Sequence, residues 1–344
     1  PHLGVPGPAI GFLQESLRWW DQWLKGVDTG IRDDPMLRAW MQDPMPPTMF
    51  YRKRPGRWVA ETDWPSSWIE DRVYALGQGR LAEAGEDGED AVERCAEALQ
   101  SPLSVGLFAG KWCSFSATPD LPHDQREEDG GALVFESRAL KAPMEIFGAP
   151  SVELSVAATE PVAMVAARLS SVAPDDQATR VTYGLLNLTR RDDPGRPTPL
   201  EPGVTYRVVI QLNEVAQVFA AGERIRLSLS TSYWPIAWPP PKPTRIHITA
   251  GESVLRLPVR PPRPEDERLR SFPEPEATGP FPMRTIEPRH YGWVVKRDLQ
   301  RDVSTLEVTK DEGLVELEDI DLRMRRRFVE EYSYRSYDFE SVRG

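Results

Sequence analysis

Four histidines and two cysteines are the side chains best suited to acid-base or covalent chemistry in this 344-residue chain: His2, His123, His247, His290, Cys95 and Cys113. Acyl transfer needs a nucleophile held beside a base and oriented by a third group. The G-x-S-x-G turn that lifts a serine nucleophile out of a sheet is absent from the sequence. The base must therefore be sought histidine by histidine. His247 alternates with apolar neighbours in "RIHITA", which predicts a strand residue facing solvent. His290 follows a proline-rich stretch and has no partner nearby. His123 sits in "TPDLPHDQREED", a turn rich in Asp, Pro and Glu, and reads as a surface-loop histidine. His2 stands shortly before an aromatic helix, where loops often carry catalytic groups, and is the one candidate general base.

Metal and cofactor chemistry finds no motif. The sequence has no H-x-x-x-H, no C-x-x-C, no calcium loop and no phosphate-cradling glycine loop, so no metal and no cofactor is expected. Two aromatic clusters remain, "KWCSF" with Trp112 and Phe115, and "STSYWPIAWPPP". Trp and Tyr offer large contact area at small entropy cost, so these clusters either line a substrate cleft or plug the ends of a core.

The elements that would position such groups are mostly strands. "TYRVVIQLN", "RIRLSLST", "SVELSVA", "RIHITA" and "VLRLPV" alternate apolar and polar residues, and turn signals such as "EPG" and "AGE" separate them. That period predicts half-buried strands of an antiparallel sandwich or barrel. Before them, Ile10, Leu13, Leu17, Trp20 and Leu24 recur at helical spacing over residues 8–25, widened by Phe12, Trp19 and Trp23. This predicts a helix buried on more than one side and stopped by Gly26. "AEAGEDGEDAVERCAEALQ" (residues 82–100) reads as a solvated acidic insertion with one helical turn. Residues 261–282 are proline-rich and form a stiff, extended connector. Residues 283–344 form a small β-appendage, with a turn expected near Asp311 to Gly313. Its basic run, Arg323 and Arg325 to Arg327, and its acidic run, "DEGLVELEDID", both read as solvated strand faces.

Composition bounds the partners. A formal net charge of -11 argues against a phosphate-backbone ligand, and no apolar run is long enough to cross a bilayer. Two cysteines are too few for a disulfide framework, so a cytoplasmic location is the expectation.

The stretches "PHLGVPGPAIGFLQESLRWWDQWLKG", "RWVAETDWP", "DLPHDQREEDGGALVFES", "GAPSVELSV", "RVTYGLLNLTRR", "LEPGVTYRVVIQLNEVAQVFAAGERIRLSLSTSYWP" and "LPVRPPRPED" occur in that order. In order and spacing, the chain resembles the C-terminal part of the CocE/NonD family of serine hydrolases, the X-Pro dipeptidyl-peptidase (peptidase S15-like) group. The resemblance implies a mainly β fold. Residues 1–34 would be the remnant of an α/β-hydrolase domain, and residues 35–260 a C-terminal jelly-roll β-sandwich. It implies a Ser-Asp-His triad in that hydrolase domain, the histidine within a Gly-Pro-Trp-x-His motif. Pro1 and His2 match a Pro-His pair that follows this motif, which puts the catalytic histidine just upstream of Pro1.

The expected function is that of a C-terminal fragment of a serine hydrolase acting on ester or amide bonds of small acyl or X-Pro peptide substrates. The sandwich would pack on the upstream catalytic domain, and Trp112 and Phe115 would help wall the cleft. This chain alone is then inactive. A carbohydrate-binding or dimerisation sandwich is the alternative, and a homo-oligomer is compatible with either reading.

Overall fold

The computed structural model describes residues 5–83, 95–114, 118–279 and 281–344. The chain is mainly β: a 15-stranded sheet system and a separate 5-stranded sheet account for nearly all of its regular structure. Strands Met164–Val172, Ala178–Asn187, Arg224–Ser230 and Leu133–Glu136 form one layer. Strands Ser151–Ala158, Thr205–Gln211, Ile246–Thr249 and Val254–Val259 form the other. The alternation in their sequences has a direct structural consequence. Val152, Leu154 and Val156 point into the same core as Val165, Ala167 and Leu169 from the facing layer, with Ile225, Leu227 and Leu229 beside them.

Strand Met164–Val172 is buried at every position, on both faces. Its inward residues fill the sandwich. Its outward residues Met164 and Ala166 pack with Val105, Ala109, Tyr183 and Tyr233, so the segment after Ser101 closes over the outside of this layer. That segment carries Trp112.

Several sequence expectations need correction. The N-terminal helix α1 spans Phe12–Lys25, four residues shorter at its start than the apolar pattern suggests. The Gly11 N–H instead bonds the Pro273 carbonyl at 2.7 Å, so the preceding residues are tied to the later chain. Gly26, in the left-handed conformation, ends the helix as expected. Within the stretch 82–100, Ala96–Leu99 is a strand paired with Ile246–Thr249 and no part of a helical turn, because its side chains alternate in exposure along that edge. Residues 84–94 lie outside the described residues.

The proline-rich stretch is docked to the sheet. It contains one 3-10 turn, Pro264–Arg268. Asp266 from that turn accepts two bonds from the fully buried Arg260, at 2.8 and 2.9 Å, while Glu61 accepts a third at 2.6 Å. Phe272 then packs edge-on against Trp58.

The second sheet runs from Met283–Glu287 to Asp338–Arg343. Its longest strand, Val303–Leu317, passes straight through the expected turn at Asp311 to Gly313, which is a bulge. The Asp311 carboxylate accepts the Gly313 N–H at 2.9 Å and pairs with Arg325, so the local turn signal is absorbed within one strand. The reversal comes at Glu318–Ile320. The acidic run is also less solvated than its pattern suggests. Asp311 and Glu316 are covered by Arg325, Arg284 and Arg323, and these arginines hold both carboxyls below their ordinary range. The arginine run itself lies exposed along strand Leu322–Arg335, as expected. Leu306, Val308, Tyr334 and Val342 of this sheet pack on Leu103, Leu107 and Trp234 of the sandwich.

Candidate functional site

The described histidines assemble no catalytic group. His123, His247 and His290 are all exposed, and no ring nitrogen of theirs takes part in a hydrogen bond among the described residues. His2 and Phe115 lie outside the described residues. No cluster of three metal-ligating side chains occurs among the described residues. No helix among them is long and apolar enough to cross a membrane.

Trp112 stands out on the loop that crosses the outer face of the sandwich, with 72 % of its surface exposed. Two glycines allow the loop to run so close. A Cβ on Gly106 would fall 2.1 Å from the Trp234 carbonyl oxygen, and one on Gly110 would fall 2.5 Å from that of Asp120. Both adopt positive φ, at 121° and 70°, which excludes other residues on conformational grounds as well.

Beneath the loop lies a buried polar network that sequence reading missed. Glu128, on the short helix Arg126–Asp129, accepts the backbone N–H groups of Gly106 and Phe108, the latter at 2.7 Å. Burial pushes its carboxyl pKa up, although Arg168 and these two donors pull the other way. Arg168 is fully buried on the central strand and bonds Gln125 and Asp129, each at 3.2 Å. Asp129 also accepts from Arg226 and Ser228. The network thus ties the loop, the short helix and two strands into one body. The only sequence signal was the motif "QREED", which reads as an ordinary acidic turn.

Beside the loop is a cleft of about 340 Å³ bordered by Pro6, Tyr51, Arg54, Arg180 and Tyr183. Arg54 lies over the Tyr51 ring at 4.7 Å and Arg180 over the Tyr183 ring at 4.5 Å. The Tyr183 hydroxyl donates to the Trp112 carbonyl at 3.4 Å, which joins the cleft to the loop. Tyr233, wholly buried beneath, accepts from Arg180 at 2.5 Å. Such a cleft can seat an acyl or aromatic group against rings and guanidinium groups. It holds no nucleophile and base in bonding contact among its described residues.

The second feature is α1. Its polar side faces its own chain: Gln22 is buried, Glu15 pairs with Arg18 and Arg270, and Gln14 donates to the Glu274 carbonyl at 2.7 Å. The apolar residues Phe12, Leu13, Leu17, Trp20 and Leu24, with Trp19 and Trp23 alongside, form one continuous arc facing away from the sandwich. The sequence predicts a buried helix. Each of these seven side chains is about half exposed or more, Leu24 most at 74 %. The periodicity correctly marks the apolar arc, but its cover is not supplied by the described residues.

The described residues are thus mainly β, with an aromatic helix turned outward. The family model for the X-Pro dipeptidyl-peptidase C-terminal non-catalytic domain matches residues 29–265, and the chain belongs to that family. It is 27 % identical over 186 residues to cocaine esterase of Rhodococcus sp., covering 52 % of this chain and 32 % of that protein. Among solved structures, an aminopeptidase from a marine sediment Thaumarchaeota archaeon aligns over 70 % of this chain and 43 % of its own, with 16 % identity and a TM-score of 0.54. A CocE/NonD family hydrolase from Staphylococcus aureus aligns over 72 % of this chain and 45 % of its own, with 14 % identity and a TM-score of 0.53. The chain thus spans about a third of the length of the curated relative and less than half of the solved ones.

Proposed function

We propose that this chain is the non-catalytic β-domain of a serine hydrolase acting on ester or amide bonds, and that it packs on the catalytic domain through the apolar arc of α1 while its Trp112 loop helps wall the substrate cleft. The nucleophile, base and acid of the triad then lie on residues outside this chain. Family membership, and the naming of relatives as an esterase and as a CocE/NonD hydrolase, support the reaction class. The observation that carries the packing role is the outward arc of α1. Covering a large apolar side chain is worth about 1.5 to 3 kcal/mol, so seven half-exposed ones leave on the order of 10 kcal/mol to be gained by a partner surface.

The loop role rests on rigidity and position. Trp112 is presented by a loop fixed from below by Glu128 and beside by Tyr183, next to a cleft that already holds paired rings and guanidinium groups. A preorganised aromatic wall of this kind selects substrates by shape at small entropic cost.

The test is hydrolysis of a panel of p-nitrophenyl esters by the chain alone and by the same chain extended upstream to include the catalytic domain. Activity only in the extended protein is expected. Activity in the chain alone, abolished by His2→Ala, would overturn the reading.

A further inference from the structure

The segment that leads to Trp112 has two faces, and they pack on different bodies. Val105 and Ala109 share a buried cluster with Met164, Ala166, Tyr183 and Tyr233 of the sandwich. Leu103 and Leu107, which alternate with them in the sequence, pack instead with Leu306, Val308, Tyr334 and Val342 of the second sheet. The segment is thus a filling between two layers, and its path depends on both.

Polar contacts repeat the pattern. From the sandwich side Glu128 accepts the N–H groups of Gly106 and Phe108, and from the second sheet the Trp293 indole donates to the Leu107 carbonyl between them at 3.0 Å. Further along, the Lys111 ammonium pairs with Glu330 and stands 5.9 Å from the centre of the Tyr332 ring. The Tyr332 hydroxyl donates to the same Glu330 carboxylate at 2.7 Å. Burial opposes the Glu330 charge, but the Lys111 and Tyr332 donors outweigh it and hold the carboxyl below its ordinary range.

Lys111 is the residue immediately before Trp112. Its backbone N–H is already tied to the Asp120 carbonyl at 2.8 Å, and the Trp112 carbonyl accepts from Tyr183, so the clamp on its side chain fixes the last free direction of the chain there. The ion pair is half open, with 29 % of the Lys111 side chain and 40 % of Glu330 exposed, and a pair of that kind adds little to stability. What it sets is position. The family model ends at residue 265, so the whole second sheet lies beyond the matched domain.

We propose that the second sheet is the positioning element of the Trp112 loop, with Trp293 acting through Leu107 and Glu330 acting through Lys111, and that it thereby sets the size of acyl group the cleft accepts. The effect on acyl size rests on the cleft role of Trp112 proposed above, whereas the positioning of the loop does not.

The experiment joins amide exchange of this chain with ester hydrolysis by the chain extended upstream. The variants are Glu330→Gln, Trp293→Phe, Lys111→Glu, and the charge-swapped double variant Lys111→Glu with Glu330→Lys. Each single variant should speed exchange at residues 107–112 by about three- to fivefold, with the melting temperature kept, and the double variant should restore it. In the extended protein, KM for bulky acyl esters relative to the acetyl ester should rise by a similar factor in the single variants, with kcat kept, and return in the double variant. Unchanged loop exchange in Glu330→Gln and Trp293→Phe, or a double variant as fast as the single ones, would overturn the positioning whatever the enzyme does. Faster exchange with an unchanged KM ratio would overturn the role in acyl selection. Absence of ester hydrolysis in the unsubstituted extended protein would count against the proposed function instead, and loop exchange would still decide the positioning.

Discussion

The Glu128 carboxylate accepts the Phe108 backbone N–H at 2.7 Å from beneath the loop that presents Trp112. With the Gly106 N–H on its other oxygen, one buried acid satisfies two backbone donors. Glu128→Ala leaves both unpaired, each at about 1 to 3 kcal/mol, and should lower unfolding free energy by roughly 2 to 4 kcal/mol in urea titrations. Glu128→Gln keeps one acceptor and should cost about half as much. Equal losses for the two variants would show that the bonds to the loop carry no special weight.

Arg260 poses a similar problem beside strand Gly56–Glu61. It is fully buried between Glu61 and Asp266, and it bonds both. Arg260→Met leaves Glu61 with only Arg263 and the Ser66 hydroxyl and Asp266 with only the Ala60 N–H, and the expected loss is about 3 kcal/mol, read from the denaturant midpoint. The same variant should free the stretch around Asp266, since that residue is held by no other side chain, and raise proteolytic cleavage there.

Strand alternation was sufficient to read the sandwich because each strand has one face on a shared core, so a two-residue period maps directly onto burial. For α1 the same logic worked only in part. The apolar arc of Leu13, Leu17 and Trp20 was visible, but periodicity cannot say which body covers it. Glu128 and Arg168 escaped notice because their partners are distant in sequence: Glu128 bonds Gly106 and Phe108, and Arg168 bonds Gln125 and Asp129. The bulge at Asp311 was mistaken for a turn because Asp-Glu-Gly supports either geometry, and only pairing with Arg325 in the neighbouring strand decides between them.

The helix α1 supplies a prediction that separates folding from docking. Leu17→Glu changes a residue that is 56 % exposed and that the described sandwich does not cover. Its effect on the melting of this chain should be within about 0.5 kcal/mol. In the extended protein the same substitution should weaken attachment of the catalytic domain and lower its thermal inactivation temperature. Strong destabilisation of the chain alone would mean that the arc is already covered.

Acid should loosen the second sheet before the sandwich. Arg325 holds Asp311 below its ordinary 3.8, and Arg284 and Arg323 hold Glu316 below its ordinary 4.5. Depressed folded-state values mean that the unfolded chain binds the proton first, so this stabilisation is present above about pH 4.5 and is lost as pH falls through the folded values. Hydrogen exchange between pH 5 and pH 3 should show strands Val303–Leu317 and Leu322–Arg335 losing protection while Met164–Val172 keeps it. Uniform loss across both sheets would contradict the assignment.

Trp112 makes almost no contact that folding requires, because most of its ring faces solvent on a loop fixed by other residues. Trp112→Ala should therefore leave the stability of this chain unchanged within about 0.5 kcal/mol. If the ring walls a substrate cleft, the same change in the extended enzyme should reduce kcat/KM for bulky acyl esters by on the order of tenfold, about 1.4 kcal/mol, while acetyl esters are barely affected. The contrast between large and small acyl groups is the informative quantity. A uniform decrease would point to a general disturbance of domain docking, and no change in either would remove Trp112 from the cleft.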